Sequence, residues 1–306
     1  MKSVLFFGMI FLCGAVYSGP RLILNADTAN EMDDLYAITY LLAVTGDELL
    51  AVSAAHFNNV DLLTDSLWNG YATHGIRTME LSFSLNRQLL ACTGRSDVQC
   101  LKGAPKIIGR AWGGSEPRPS ETSQLIIEEA MNRPAGEKLV LFTLGPVTDV
   151  ASAVIEKPEI QDKIVLYMMG ANYYPDRKAW NKNEFNVRND LNAFDYLLDS
   201  KVEMHVMPAS TAWRLKFERK KTLEKLGNRP LDKLLAERWD HVNAKETWIM
   251  WDLALVIAYF HPEFAKEEAV TTPPENRARS VWVYTDIDAE RMENHFWQVY
   301  EEKYRR

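Results

Sequence analysis

Five short stretches limit what this chain can fold into. Residues 21–24, 49–57, 138–144, 163–169 and 202–207 are nearly continuous runs of apolar and β-tolerant residues. A strand without polar alternation is buried on both faces, as in a parallel sheet covered by helices. Helix-period segments lie between the runs, for example Leu35, Ile38, Leu41 and Leu42, and again Leu62, Leu63, Leu67 and Tyr71. Further helices are expected over 120–132, from Thr148, and over 190–198, 219–245, 247–260 and 289–303. A late strand is expected at 280–285 and a short one at 77–83, with loops over 84–118 and 172–186. The fold class that follows is α/β: an open, mostly parallel sheet with helices on both faces. Several strands run into polar residues at their carboxyl ends, the edge where such sheets build their sites.

The densest polar stretch follows the first strand. Asn25, Asp27, Asn30, Glu31, Asp33 and Asp34 occupy ten positions. Asp33 and Asp34 suit a helix N-terminus, where negative charge gains ~0.3–1 kcal/mol. A cap accounts for one acid, whereas adjacent carboxylates on one loop suit a hard cation such as calcium. A solvated acidic turn is the plainer alternative. Asp252 sits among Ile249, Met250, Leu253 and Ala254. An unpaired carboxylate buried there costs several kcal/mol, which a cation or a helix N-terminus would offset.

Composition narrows the partners. The 306 residues carry a net charge of −7, which argues against a general nucleic-acid binder. No repeat, low-complexity tract or linker divides residues 19–306, so they are read as a single domain. In residues 1–18, Lys2 precedes an apolar run and then Ser18 and Gly19, the pattern of a cleaved secretory signal peptide. Export would make the mature protein secreted or periplasmic, with no membrane association after cleavage. Cys13 would leave with the signal; Cys92 and Cys100 would remain, as a disulfide or as two thiols.

Five motifs occur in order: Asn25-Ala26-Asp27 through Asp33-Asp34, Leu144 to Asp149, Met169-Gly170-Ala171, Glu184-Phe185-Asn186 and Trp251-Asp252-Leu253-Ala254. Together they resemble the inosine/uridine-preferring nucleoside hydrolase family over nearly the whole mature chain. The resemblance implies a calcium ion held by Asp27, Asp34, the carbonyl of Leu144 and Asp252. It makes Asp27 the general base toward water. Asp33, Asn58, Glu184 and Asn186 would hold the ribose hydroxyls, with Met169 lining the pocket. The implied substrate is a nucleoside and the implied assembly a homodimer or homotetramer. Such chemistry suits these residues: N-ribosides hydrolyse through an oxocarbenium-like transition state, which carboxylates near the ring stabilise.

The chain departs from the family's pattern at several points. Asn25 stands where Asp is usual, and the loop from Asp27 to Asp33 is two residues longer. Trp251 replaces a histidine found in many members, which resembles the purine-preferring branch and makes Trp251 a contact for the base. Trp180, Trp213 and Trp248 could extend an aromatic cage. Lys178 stands where an asparagine is expected, so Asn181 or Asn183 would take its role. Taken singly, Glu184-Phe185-Asn186 also reads as a surface loop, Trp251 as core, Asn58-Asn59 as a turn and His56 as structural. The departures leave two rival functions: hydrolysis of another ribosylated or glycosylated compound, or nucleoside binding without catalysis. A phosphatase of the haloacid-dehalogenase type is disfavoured, because Asn25 cannot serve as its nucleophile.

Overall fold

The computed structural model of the chain describes residues 20–58, 73, 75–110, 113–242 and 244–305. The expected signal peptide and nearly all of the helix expected over 62–74 lie outside the described residues. The first part of the chain runs β1 (Leu22–Ala26), α1 (Asp33–Val44), β2 (Leu49–Ala54), α2 (Thr78–Thr93), β3 (Gln99–Lys102) and α3 (Glu121–Met131). It continues with β4 (Leu139–Thr143), α4 (Thr148–Glu156), β5 (Ile164–Met169), β6 (Asn172–Tyr174), β7 (Ala179–Asn181) and α5 (Phe185–Asn189). Next come α6 (Leu191–Asp199), β8 (Glu203–Met207), α7 (Ala209–Ala212), β9 (Lys216–Glu218), α8 (Arg219–Lys225) and α9 (Pro230–His241). The chain closes with β10 (Thr247–Ile249), α10 (Trp251–Phe260), β11 (Ala265–Thr271), β12 (Ser280–Ile287) and α11 (Ala289–Tyr304).

Eight strands form the main sheet in the order β11-β12-β8-β5-β4-β1-β2-β3. Every neighbouring pair is parallel except β11 with β12. The period-2 geometry of a strand sends alternate residues to opposite faces. Leu22, Leu24, Val140 and Phe142 pack with Leu35, Ile38, Leu253 and Phe296 from α1, α10 and α11. Ile23, Leu139, Leu141 and Leu166 pack on the other side with Ile126, Val150 and Phe194 from α3, α4 and α6. Both faces are covered, as the continuous apolar strands required. The strand order reverses at β1, which lies between β4 and β2, and this switch point leaves a crevice at the carboxyl ends of β1 and β4.

Several local expectations need correction. Residues 77–83 begin helix α2 rather than a strand. Met79, Ser82, Asn86, Leu89 and Leu90 are its buried stripe, and Gly94, at φ 70°, ends it in the left-handed conformation. Within the stretch read as loop, this helix runs on to Thr93 and β3 follows. Residues 172–181 form a hairpin, β6 with β7, and 219–241 hold two helices rather than one. The apolar run 247–260 is a short strand, then a helix. Thr247–Ile249 pairs with β9, and the helix starts only at Trp251, so hydrophobicity crosses the boundary without marking it. Strand β11 was not expected. Its Lys266, Glu267 and Glu268 are the charges that protect a sheet edge from further pairing, and they hide its strand character. Cys92 and Cys100 are free thiols. Among the described residues, no helix is long and apolar enough to cross a membrane.

Candidate active site

Strand β1 delivers Asp27 to the crevice and β4 delivers Leu144 beside it. The two strands are locked in register, with the Leu144 N–H donating to the Asn25 carbonyl at 2.8 Å. Gly145 permits this close approach, since a Cβ there would lie 3.0 Å from Asp27 Cβ. Helices α1 and α10 pack together and place Asp33, Asp34 and Asp252 in their first turns. The positive ends of both helix dipoles therefore face the carboxylates. One carboxylate oxygen from each of Asp33, Asp34 and Asp252 falls within 4.8 Å of the others. The Asp252 N–H donates to Asp33 Oδ2 at 3.1 Å, so Asp33 caps α10.

These groups line a cavity of about 300 Å³ together with Leu144, Met169, Asn183, Glu184, Asn186 and Trp251. Burial pushes the carboxyl of Asp27 well above the usual carboxylate range, and the charges of Asp34, Glu31 and Asp33 push it further. Asp34 and Asp252 are raised by burial and by the same neighbours. Asp33 is raised by burial to about 6, the Asp252 N–H opposing the shift. Oδ2 of Asp27 and Oδ1 of Asp34 are buried with no hydrogen-bond partner among the described residues. An arrangement of crowded, buried and partly unpartnered carboxylates is costly without positive charge. The donor set is all oxygen and fits a hard divalent cation. Arg238 from α9 supplies part of the compensation. Its guanidinium lowers the carboxyl of Asp34 and donates to the carbonyls of Ala29 (3.2 Å) and Glu31 (2.7 Å), fixing the acidic loop.

On the opposite wall, Glu184 is the N-cap of α5. Its Oε1 accepts from the Asn186 N–H, and its Oε2 from the N–H groups of Ala171 and Val187, at 3.0–3.1 Å. Burial raises this carboxyl to about 7. The Asn186 amide donates to the Leu144 carbonyl at 2.7 Å and to the Met169 carbonyl at 3.3 Å, joining the ends of β4 and β5. Its Nδ2 is thus committed to the main chain, which leaves Oδ1 to accept from a ligand hydroxyl.

A model of the inosine-uridine preferring nucleoside hydrolase family matches residues 22–295. The chain belongs to that family. No curated protein matches it in sequence. Among solved structures it is similar to a plant nucleoside hydrolase, at 17% identity and TM-score 0.68, with 92% of this chain and 99% of that one covered. It is also similar to a purine-preferring ribonucleoside hydrolase from Gardnerella vaginalis, at 19% identity and TM-score 0.67, covering 92% and 98%. An inosine-uridine preferring nucleoside hydrolase from Bacillus anthracis gives 16% and 0.65, covering 93% and 100%. At these identities the solved structures speak for the fold, and the family match supports hydrolysis of the N-glycosidic bond of nucleosides.

Within this nucleoside hydrolase the predicted residues separate into two groups. Asp27, Asp33, Asp34, Leu144, Met169, Asn183, Glu184, Asn186, Trp251 and Asp252 all line the one cavity. Asn58 and Asn181 are not among its lining residues. The Asn58 amide donates to the Pro105 carbonyl at 3.3 Å, and the Asn181 side-chain oxygen accepts from the Asn183 N–H at 2.7 Å. Of the two alternatives, Asn183 lines the cavity and Asn181 does not, its side chain bonding to the Asn183 main chain instead. Trp180 bonds to the Thr271 carbonyl and Trp213 lies under Lys216, both away from the cavity. His56 is structural: its Nε2 meets the Thr148 hydroxyl at 3.0 Å, and that hydroxyl donates to Asp190. Asn172, Phe185 and Ala209 also line the cavity. Asn172 had a usable signal, since it closes the polar end of the β5 run.

Asn25 does not face the cavity. Its amide donates to Ser53 Oγ at 2.9 Å and to Asp149 Oδ2 at 3.1 Å. Asp149 in turn accepts from Ser120 and from the Ala104 N–H, and burial raises it to about 6. The loss of a carboxylate at position 25 is thus a change behind the site, where the amide pairs with a buried acid. Asn25→Asp would set two buried carboxylates against each other. We expect it to destabilise the fold by roughly 2 kcal/mol or more in urea unfolding at neutral pH. A change within 0.5 kcal/mol would contradict this account.

Proposed function

We propose that this protein hydrolyses ribonucleosides to ribose and free base, that it prefers purine nucleosides, and that it depends on calcium. The observation that carries the reading is the convergence of Asp27, Asp34, Asp252 and Leu144 on one buried crevice, where Asp27 and Asp34 each keep an oxygen without a partner among the described residues. In this reading those four groups hold the cation. Calcium suits a site whose oxygen donors come from two loops and two helix starts, because it tolerates irregular geometry. Bound there, it supplies Lewis acidity that makes water a stronger nucleophile near neutral pH.

The chain's own residues supply the rest. Asp27 takes the proton from the attacking water, from a fixed position at the end of β1 on the wall of the cavity. Asp33, Asn183, Glu184 and Asn186 hold the sugar hydroxyls and so fix C1 relative to Asp27, which lowers the entropic part of the barrier. Met169 lies against the sugar. Carboxylates around the ring favour the positive charge that develops as the base departs. Trp251, half-buried at the start of α10, offers its indole face to the base, and stacking favours the larger purine surface. Export fits the same reading, with residues 1–18 removed and the mature chain acting outside the cytoplasm as a homo-oligomer.

The test is reducing-sugar release from inosine, guanosine, adenosine and uridine by the chain from Gly19 onward, with and without a chelator, and in exported and cytoplasmic fractions of the producing cells. Release that is fastest from purines, lost on chelation, restored by calcium and concentrated in the exported fraction is expected. Full activity in chelator would remove the cation from the mechanism.

A further inference from the structure

Two segments meet at the cavity, the exit of β4 and the start of α5. They are joined at two points, four residues apart on both segments. In the cavity the Asn186 amide donates to the Leu144 carbonyl at 2.7 Å; behind it the Thr148 hydroxyl donates to Asp190 Oδ2 at 2.6 Å. Thr148 and Asp190 are both fully buried, and neither lines the cavity. The direction of the second bond follows from its surroundings. Asp190 caps α6 through the Ala193 N–H and also accepts from the Ile108 N–H, both at 3.0 Å. Burial raises its carboxyl to about 6, so near pH 7.5 it is ionised and can only accept. Thr148 gives its one proton to Asp190 and presents a lone pair to His56 Nε2, which lies 3.0 Å away. The imidazole therefore donates from Nε2. Its Nδ1 is buried with no hydrogen-bond partner among the described residues, which suits the unprotonated nitrogen of a neutral ring better than a second N–H.

From these two bonds we infer that Thr148 is a positioning residue for the reaction: its hydroxyl holds the sugar-binding wall of the cavity in register with the wall that carries Asp27. The inference rests on the function proposed above. Leu144 and Asp27 are tied together, because the Leu144 N–H donates to the Asn25 carbonyl and Gly145 lies against Asp27. Glu184 and Asn186 belong to the other wall, at the start of α5. A single hydrogen bond between the walls is a pivot. A second one, a helical turn further along each segment, removes the rotation. Without it, C1 of a bound nucleoside shifts relative to Asp27, while the hydroxyl contacts travel with the sugar. Misalignment of about 1 Å costs up to ~10²-fold in the chemical step and leaves ground-state binding largely in place. His56 completes the arrangement, since an imidazole donating to the hydroxyl oxygen keeps the hydroxyl proton aimed at Asp190.

The experiment compares the unsubstituted chain with Thr148→Val, which keeps the shape and loses the hydroxyl, and Thr148→Ser, which keeps the hydroxyl. Initial rates of ribose release from the fastest nucleoside of the panel above, at saturating calcium, give kcat and KM. Rates are referred to the fraction of molecules that bind calcium, so loss of folded protein alone leaves kcat unchanged. Thr148→Val is expected to lower kcat about 10- to 100-fold with KM within about threefold, and Thr148→Ser to keep kcat within about threefold. A second readout does not depend on turnover. In nitrogen-15 NMR of the unsubstituted protein near pH 7.5, His56 is expected to carry its proton on Nε2 and none on Nδ1. Unchanged kcat in Thr148→Val, or an equal loss in Thr148→Ser, would overturn the assignment and leave the parent reading intact. So would a His56 proton on Nδ1, a result that decides the matter even where Thr148→Val fails to fold. No ribose release from any nucleoside by the unsubstituted protein would remove the parent reading, and this one with it.

Discussion

Changing Asp27 to asparagine is expected to lower kcat by about 10³-fold while KM for a purine nucleoside moves little. The substitution preserves shape, and its side-chain oxygen can still face the cavity. What it removes is the ability to accept a proton, together with the charge of one proposed cation ligand. Asp27 is the only one of the four clustered aspartates that follows a strand directly; Asp33, Asp34 and Asp252 sit in helix first turns. Asp33 has one oxygen committed to the Asp252 N–H, whereas Asp27 keeps a buried oxygen without a hydrogen-bond partner among the described residues. Asp34→Asn serves as the contrast. Both groups are proposed to hold the cation, so raising calcium should recover most of the loss in Asp34→Asn, whereas the loss in Asp27→Asn should persist at saturating calcium because the base is gone. Near wild-type turnover by Asp27→Asn at saturating calcium would assign the base elsewhere.

Much of this architecture was readable because the parallel sheet writes itself as continuous apolar runs. Residues 138–144 and 163–169 could hardly be anything but central strands, and β4 and β5 occupy nearly those bounds. The acidic loop was readable for the opposite reason: solvation and capping do not call for so many carboxylates after a buried strand. What stayed hidden is tertiary. Position 25 reads as a weakened active site, yet the strand turns that side chain away from the cavity toward Asp149. Asn181 and Asn183 are two residues apart, and only the hairpin of β6 and β7 decides which one lines the cavity. Glu184 reads as a sugar contact from its motif, but its three main-chain partners make it an N-cap first. Helix α2 was misread because Ser82 and Asn86 occupy its buried face. Asn86 is buried there because it accepts from the Thr28 hydroxyl at 2.6 Å, a pairing no periodicity can show.

Removing the divalent cation is expected to lower the thermal midpoint by roughly 5–10 °C near pH 7.5, and by less as the pH falls toward 5. The magnitude follows from linkage. A ligand at about a hundredfold its dissociation constant stabilises the native state by ~2.7 kcal/mol. The pH dependence follows from the carboxylates. In the cation-free fold Asp27, Asp34 and Asp252 have raised proton affinity, and Asp33 titrates at about 6. The unfolded chain holds these protons only below ~3.9. Between those limits the native state binds more protons than the unfolded state, so cation-free stability from these groups rises as pH falls and is lost as pH rises through the folded values. Cation binding replaces the protons and removes that slope. His56 acts in the opposite direction, since burial lowers it to about 4 against an ordinary 6.5, and its contribution is lost as pH falls through that window. It lies outside the cluster and enters loaded and chelated protein alike, so it cancels in the difference between them. The measurement is therefore a pair of calorimetric scans, with calcium and with chelator, at several pH values from 5 to 8. A gap that widens with pH supports a cation held by Asp27, Asp34 and Asp252, with the charge of Asp33 beside them. A gap of constant size would mean that the cluster is already neutralised by its own protein surroundings, with Arg238 the first group to examine.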